Sequence, residues 1–226
     1  CQITKLVFFI VAKLVPVINT KTIQKLRGRI RLLQEFDDIF QIDIADGRFT
    51  AWKTWNSPEV LKKIKKIERK FELHLMVYNP EQVTPYWLEV LPKRIIVHLE
   101  AIKNFALLDN LCRAEGVELG VAINPETPFE NLDQYMNKVN FVTILGVSPG
   151  PSGQKFHWFV LDRVKKIKSN YPKIQCEIDG GINEDNIESV RSSGADFIAI
   201  GSAIFEDKDP LRRISYFQKA LATPKK

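Results

Sequence analysis

Two short runs decide the fold. The first is Ile174-Gln175-Cys176-Glu177-Ile178-Asp179-Gly180-Gly181-Ile182-Asn183. An amphipathic stretch opening at Asn183-Glu184-Asp185 separates it from the second, Phe197-Ile198-Ala199-Ile200-Gly201-Ser202. Each run is brief, nearly continuous in apolar residues and closed by glycine, as a strand buried on both faces should be. Strand, helix start and strand again make one unit of a parallel sheet.

Working outward, the same unit recurs along the whole chain. Strand signals fall at Val11–Ile18, Ile39–Ile44, Phe71–Val77, Arg94–Leu99, Val117–Ile123, Phe141–Val147, Ile174–Ile178 and Phe197–Ile200. Between them lie amphipathic stretches: Thr20–Phe36, Lys103–Ala114, Trp158–Ser169 and Pro210–Leu221, and others opened by Ser57-Pro58-Glu59, Asn79-Pro80-Glu81, Thr127-Pro128 and Asn183-Glu184-Asp185. Ser57 and Asn79 read as N-caps with proline at the first helical position. Eight strand–helix units with no linker-like break imply an α/β protein of the (β/α)8 TIM-barrel class, with residues 1–226 as a single domain; such a barrel typically takes about 250 residues. The competing architecture is a doubly wound open sheet. It is disfavoured because no G-x-G-x-x-G follows the first strand.

Composition narrows the function classes. Hydrophobic residues at 45% and charged residues at 27% exclude a disordered chain. The net charge of +6 would suit nucleic acid, an anionic membrane or a phosphorylated small molecule. The basic runs, Lys62 to Lys66 and Arg163 to Lys168, alternate with apolar residues at helical spacing and read as solvated helix faces. No basic motif interleaved with aromatics points to nucleic acid. The apolar segment Leu6–Ile18 is interrupted by Lys13 and Pro16. It is too short to span a membrane and reads as a first barrel strand rather than a signal peptide. The chain opens on Cys1 rather than Met, which leaves its natural start open. Cys1, Cys112 and Cys176 form no C-x-x-C pair, so disulfide and structural zinc frameworks are not expected and a reducing cytoplasm is.

In a barrel of this class the chemistry sits where the strands end. Asp43, His74 and Asp179 stand at the ends of strands two, three and seven, all aimed at one mouth. Such groups ligate a metal or move protons. His98 and Asn124 are weaker candidates, each able simply to satisfy backbone groups near the rim. Asp179-Gly180-Gly181 and Gly201-Ser202 place glycines on two successive strand ends. Glycine there lets backbone N–H groups approach an anion, so this corner reads as a phosphate site.

Taken together, the strand ends resemble the ribulose-phosphate 3-epimerase family. The stretches that carry the resemblance are Asp43-x-x-Asp46-Gly47-x-Phe49, His74-Leu75-Met76-Val77-x-x-Pro80-Glu81, His98-Leu99-Glu100-Ala101, Asn124-Pro125-x-Thr127-Pro128, Val147-Ser148-Pro149-Gly150-x-x-Gly153-Gln154-Lys155-Phe156 and Asp179-Gly180-Gly181-Ile182-Asn183, followed by Gly194-Ala195-Asp196 and Gly201-Ser202-Ala203-Ile204-Phe205. They occur in family order over roughly residues 11 to 205. The resemblance implies a ribulose-phosphate-binding barrel that interconverts ribulose 5-phosphate and xylulose 5-phosphate in the pentose phosphate pathway. It implies Asp43 and Asp179 as acid/base groups on opposite faces of the sugar. It also implies one divalent metal ion (zinc, iron, manganese or similar) at Asp43, His74 and Asp179. His74, Met76, Gly150, Gly153, Gly180, Gly181, Gly201 and Ser202 would bind substrate and phosphate, with Gly153 closing a loop over it. Members of the family often form homo-oligomers, although no helix here identifies an interface.

Some positions depart from the family pattern. Its fourth metal ligand, a histidine, is Gln41 here, so weakened or altered metal binding is expected. Val17 replaces a serine, Ala45 and Leu145 replace methionines, and Pro151-Ser152 replaces Phe-Gly. Two other functions stay open on these grounds. The smaller Ala45 would suit an epimerase for a longer ketose phosphate, such as a hexulose 6-phosphate. Gln41 and Val17 would suit a non-catalytic barrel that binds a phosphorylated sugar.

Overall fold

The computed structural model describes residues 12–222 except 65, 66, 68 and 69. Cys1, the segment Leu6 to Val11, and Lys65 and Lys66 of the first basic run therefore lie outside the described residues. Eight strands close into one parallel barrel in chain order: β1 Lys13–Ile18, β2 Phe40–Ala45, β3 Phe71–Met76, β4 Arg94–His98, β5 Glu118–Ile123, β6 Phe141–Leu145, β7 Gln175–Asp179 and β8 Phe197–Ile200. β8 pairs with β1 through Lys13–Phe197 to Pro16–Ile200, which leaves no open edge and excludes the doubly wound alternative. Each strand lies within two residues of its sequence reading.

The helices follow the sequence less closely. α1 (Ile23–Leu32) is capped by Thr22, whose side chain accepts from the Lys25 N–H. α3 (Pro80–Leu88), α4 (Phe105–Ala114), α5 (Val160–Asn170) and α8 (Pro210–Ala222) are regular. The stretch opened by Ser57 is only a single described turn, α2 (Pro58–Leu61), and neither Ser57 nor Asn79 makes a capping hydrogen bond. The Asn79 amide turns to Gln82 and its carbonyl accepts from Lys103 instead. Thr127-Pro128 opens a short 3-10 turn, Phe129–Leu132, and no α-helix. α6 (Ile187–Ser192) starts later than Asn183, because Asn183 and Asn186 bond each other's loop first. A short helix, α7 (Ser202–Phe205), follows β8 without a sequence signal. The second basic run is only partly solvated. Arg163 donates to the carbonyls of Asn124, Pro125 and Thr127, and Lys168 pairs with Asp196 at 2.7 Å.

Alternate residues of each strand face inward. Val15, Val17, Ile96, Ala122, Phe141, Leu145 and Ala199 fill part of that interior. The rest is polar. At the opposite, N-terminal end of the strands, Arg94 bonds Glu72 at 2.8 Å and Glu118 at 2.7 Å while lying 3.3 Å from the Phe141 ring centroid. Gly120 leaves room for this: a Cβ there would sit 2.9 Å from Phe141 and 3.5 Å from the Arg94 side chain. Glu177 accepts from the Thr143 hydroxyl at 3.0 Å. Burial, and then the Glu72 charge, pushes the Glu177 carboxyl well above its ordinary range.

Cys112 and Cys176 are buried free thiols, with burial pushing Cys112 up to about 12 and Cys176 upward as well. Among the described residues no helix is long and apolar enough to cross a membrane.

Removing Arg94 strands the buried Glu72 carboxylate. Arg94→Ala should cost about 3–5 kcal/mol in urea unfolding. The double variant Arg94→Met with Glu72→Met should recover most of that loss. An Arg94→Ala loss within the surface range of about 0.5 kcal/mol would contradict this reading.

Candidate active site

Strand register builds the site. Asp43 on β2 lies opposite His74 on β3, and Asp179 closes β7 beside Leu145 of β6. Two residues back from Asp43, on the same inward face of β2, stands Gln41. These four side chains are buried and converge. The His74 Nδ1 lies 3.4 Å from Asp43 Oδ1 and 3.2 Å from Asp179 Oδ2. The Gln41 Nε2 donates to Asp43 Oδ1 and Asp179 Oδ2, both at 2.8 Å, and lies 3.4 Å from His74 Nδ1.

Burial would neutralise two carboxylates unless donors held them. For Asp43, burial raises the pKa most, the His74 hydrogen bond opposes it, and the Asp179 charge adds to the rise. For His74, burial lowers the pKa. The hydrogen bonds and charges of Asp179 and Asp43 outweigh it, bringing His74 up to about 10. His74 thus presents one ring nitrogen to both acids.

The back of the ring is set by a chain of contacts. His74 Nε2 lies 2.8 Å from His98 Nε2. His98 Nδ1 lies 3.5 Å from Glu100, which accepts from the Asn124 N–H and the Thr127 hydroxyl. Burial lowers the His98 pKa, and the ring is held between His74 on one side and Glu100 on the other. His98 is therefore no rim residue satisfying backbone. It is buried, stacked on His74 at 4.9 Å and covered by Phe49 at 4.6 Å. Phe49 is held there because Asp46 takes the N–H groups of Arg48, Phe49 and Tyr78.

Sequence reasoning missed Asn19. Its amide donates to Asp43 Oδ2 at 2.9 Å and to the Gly150 carbonyl at 3.1 Å, and its carbonyl accepts from Trp52 Nε1 at 2.8 Å. The signal was available, since Asn19 is the first polar residue beyond an apolar strand. Thr54, also missed, bonds the Asp43 carbonyl and the Ala45 N–H.

Beside the carboxylates a cleft opens. Met76, Gly150, Gly153, Gly180, Gly181, Gly201 and Ser202 all line it, together with Asp43, His74 and Asp179. The structure thus brings every candidate site residue to its wall except the fully buried Gln41 and the two weaker candidates, His98 and Asn124. Gly180 and Gly181 have φ of 100° and 72°. A Cβ on them would meet Val147 at 2.5 and 2.8 Å, so these positions require glycine. The β6–α5 loop over the cleft is fastened by Asn19 at Gly150, by Thr50 at Pro149, and by Gln154, which donates to Ser148 and Pro151. Ala45 is fully buried and outside the cleft wall, which Met76 and Leu145 form. Ala45 therefore adds no surface to the cleft.

Two buried acids linked through one imidazole, beside a glycine-lined cleft, can take a proton from one face of a small molecule and return it to the other. That chemistry defines the class as an acid–base isomerase. A model of the ribulose-phosphate 3-epimerase family matches residues 13–205. Ribulose-phosphate 3-epimerase from Aquifex aeolicus is 34% identical over 177 residues, 76% of this chain and 79% of that protein. The Helicobacter pylori epimerase is 31% identical over 76% of this chain and 81% of its own length, and the Escherichia coli K12 epimerase 29% over 82% and 84%. The chain belongs to the ribulose-phosphate 3-epimerase family. Solved structures agree on the fold alone. 3-Hexulose-6-phosphate synthase from Salmonella typhimurium superposes with a TM-score of 0.68 at 13% identity, covering 92% of this chain and 98% of that one. Tryptophan synthase from Mycobacterium tuberculosis gives 0.68 at 14%, over 94% and 92%.

Gly181→Ala should lower stability by about 1–3 kcal/mol from backbone strain and abolish binding of a phosphorylated sugar by calorimetry. Gly28→Ala is the control, since it is helical with nothing within 4 Å of its Cβ. It should gain up to about 1 kcal/mol. Unchanged ligand affinity in Gly181→Ala would contradict the assignment of this corner.

Proposed function

We propose that the protein epimerises ribulose 5-phosphate to xylulose 5-phosphate at C3, as the names of its relatives suggest. The observation that carries this is the linkage of Asp43 and Asp179 through His74 at 3.4 and 3.2 Å beside the cleft. One carboxylate takes the C3 proton, and the C–H electron pair moves toward the C2 carbonyl oxygen to give an enediolate. The other carboxyl, protonated, delivers a proton to the opposite face of C3, and the electron pair returns. Nothing is oxidised and no group leaves. Asp43 and Asp179 approach the carbon from different strands, β2 and β7, so that each is assigned one face. His74 passes charge between the pair, while His98 and Glu100 hold its ring.

The donor set Asp43, His74 and Asp179 suits a divalent ion: three buried ligand atoms lie within 4.8 Å of one another. Such an ion supplies, when bound, positive charge beside the oxygens on which negative charge develops. Gly180, Gly181, Gly201 and Ser202 are assigned to the phosphate, with Gly150 and Gly153 in the covering loop and Met76 and Leu145 against the sugar. One domain and a cytoplasmic setting complete the proposal.

Asp43→Asn and Asp179→Asn should each cut turnover of ribulose 5-phosphate by about 10²–10⁴-fold while still binding it in calorimetry. Wild-type protein that binds the sugar phosphate but never turns it over would establish a binding barrel instead.

A further inference from the structure

Gln41 stands where the family pattern places a fourth metal ligand, and it faces the site with the wrong atom. Its Nε2 lies 2.8 Å from Asp43 Oδ1 and 2.8 Å from Asp179 Oδ2. Its Oε1 is buried without a hydrogen-bond partner. Chemistry dictates this orientation. With Oε1 turned inward, an acceptor would oppose two carboxylate oxygens at hydrogen-bond distance with no proton between them. An amide nitrogen has two protons to give and no lone pair for a cation. The second oxygen of Asp43 is held by another neutral amide, that of Asn19, at 2.9 Å. Asn19 is itself fixed by Trp52 at 2.8 Å, and its backbone carbonyl accepts from Arg29 at 2.9 Å.

We infer that in this chain the Gln41 amide, assisted by Asn19 and lying beside the His74 ring that bridges the same two acids, holds the carboxylates together where a metal ion would otherwise do so, so that the site stands preformed without a metal and binds one weakly. A divalent ion can reach Asp43, His74 and Asp179 only if the Gln41 amide rotates and gives up both charge-assisted hydrogen bonds. Histidine at this position would carry no such opposition, since a neutral imidazole offers a lone pair. The inference takes Asp43 and Asp179 as the working carboxylates, but its readouts are metal affinity and stability and do not depend on turnover.

The test compares chelator-stripped wild type with Gln41→His. Zn2+ and Mn2+ affinities are measured by competition with a chromophoric chelator, and the melting temperature is taken with EDTA and with each ion. Wild type should melt at the same temperature in EDTA and in stoichiometric Zn2+, and should keep its affinity for ribulose 5-phosphate in EDTA. Gln41→His should bind Zn2+ at least about 100-fold more tightly, the upper end of what loss of an outer-shell partner costs a metal site. It should also gain a Zn2+-dependent rise in melting temperature. Should Gln41→His fail to fold, the wild-type arm decides alone. Tight stoichiometric Zn2+ with a melting temperature that falls in EDTA would overturn the inference. The epimerase reading fails separately, through absence of turnover with or without metal.

Discussion

Everything at the barrel mouth depends on keeping two carboxylates ionisable inside a protein. Asp43 and Asp179 are both buried, and burial favours the neutral acid. The answer is a ring of donors: His74 to both acids, Gln41 to both acids, and Asn19 to the outer oxygen of Asp43. Each donor in turn needs a partner. His74 finds His98, and Asn19 finds Trp52 and Arg29. The polar layer beneath, with Arg94 between Glu72 and Glu118, obeys the same rule. The barrel interior is therefore built by polar pairing as well as by apolar packing, with the Gln41 Oε1 left without a partner.

Parallel register turns this chemistry into geometry. The pairing of Asp43 with His74 across β2 and β3 fixes their height, and closure of β8 on β1 brings β7 within reach of β2 across the mouth. A one-residue slip of β2 would send Gln41 and Asp43 together to the helix face. The glycines behave in a related way. Gly180 and Gly181 are required because Val147 and the Phe156 backbone occupy the space of any Cβ. That close packing holds the strand-seven turn directly beside the carboxylates.

The sequence made the barrel legible because a doubly buried parallel strand leaves a short run rich in apolar residues, and eight of them survive reading with errors of at most two residues. Asp43, His74 and Asp179 were legible for the same reason, as polar residues at the ends of such runs. The helices were harder to read. Ser57 and Asn79 have the right residue type for caps, yet their side chains make no capping bond. A proline after a polar residue also starts a 3-10 turn, as at Thr127-Pro128. Asn19 and Gln41 show a different limit. Neutral amides carry no sign of which atom they present, and only the positions of Asp43, Asp179 and Trp52 decide that. Arg163 and Lys168 read as solvated charge but serve the carbonyls of the loop after β5 and Asp196, contacts made across the fold.

The central claim is that two separate carboxylates work on opposite faces of one carbon. The most direct measurement is deuterium incorporation at C3 when the protein meets ribulose 5-phosphate in D2O, with product and remaining substrate analysed before the reaction reverses. The account requires deuterium at C3 of the xylulose 5-phosphate first formed, with the unreacted ribulose 5-phosphate still carrying hydrogen. Deuterium entering the remaining substrate as fast as the product, or product formed without solvent deuterium, would contradict it.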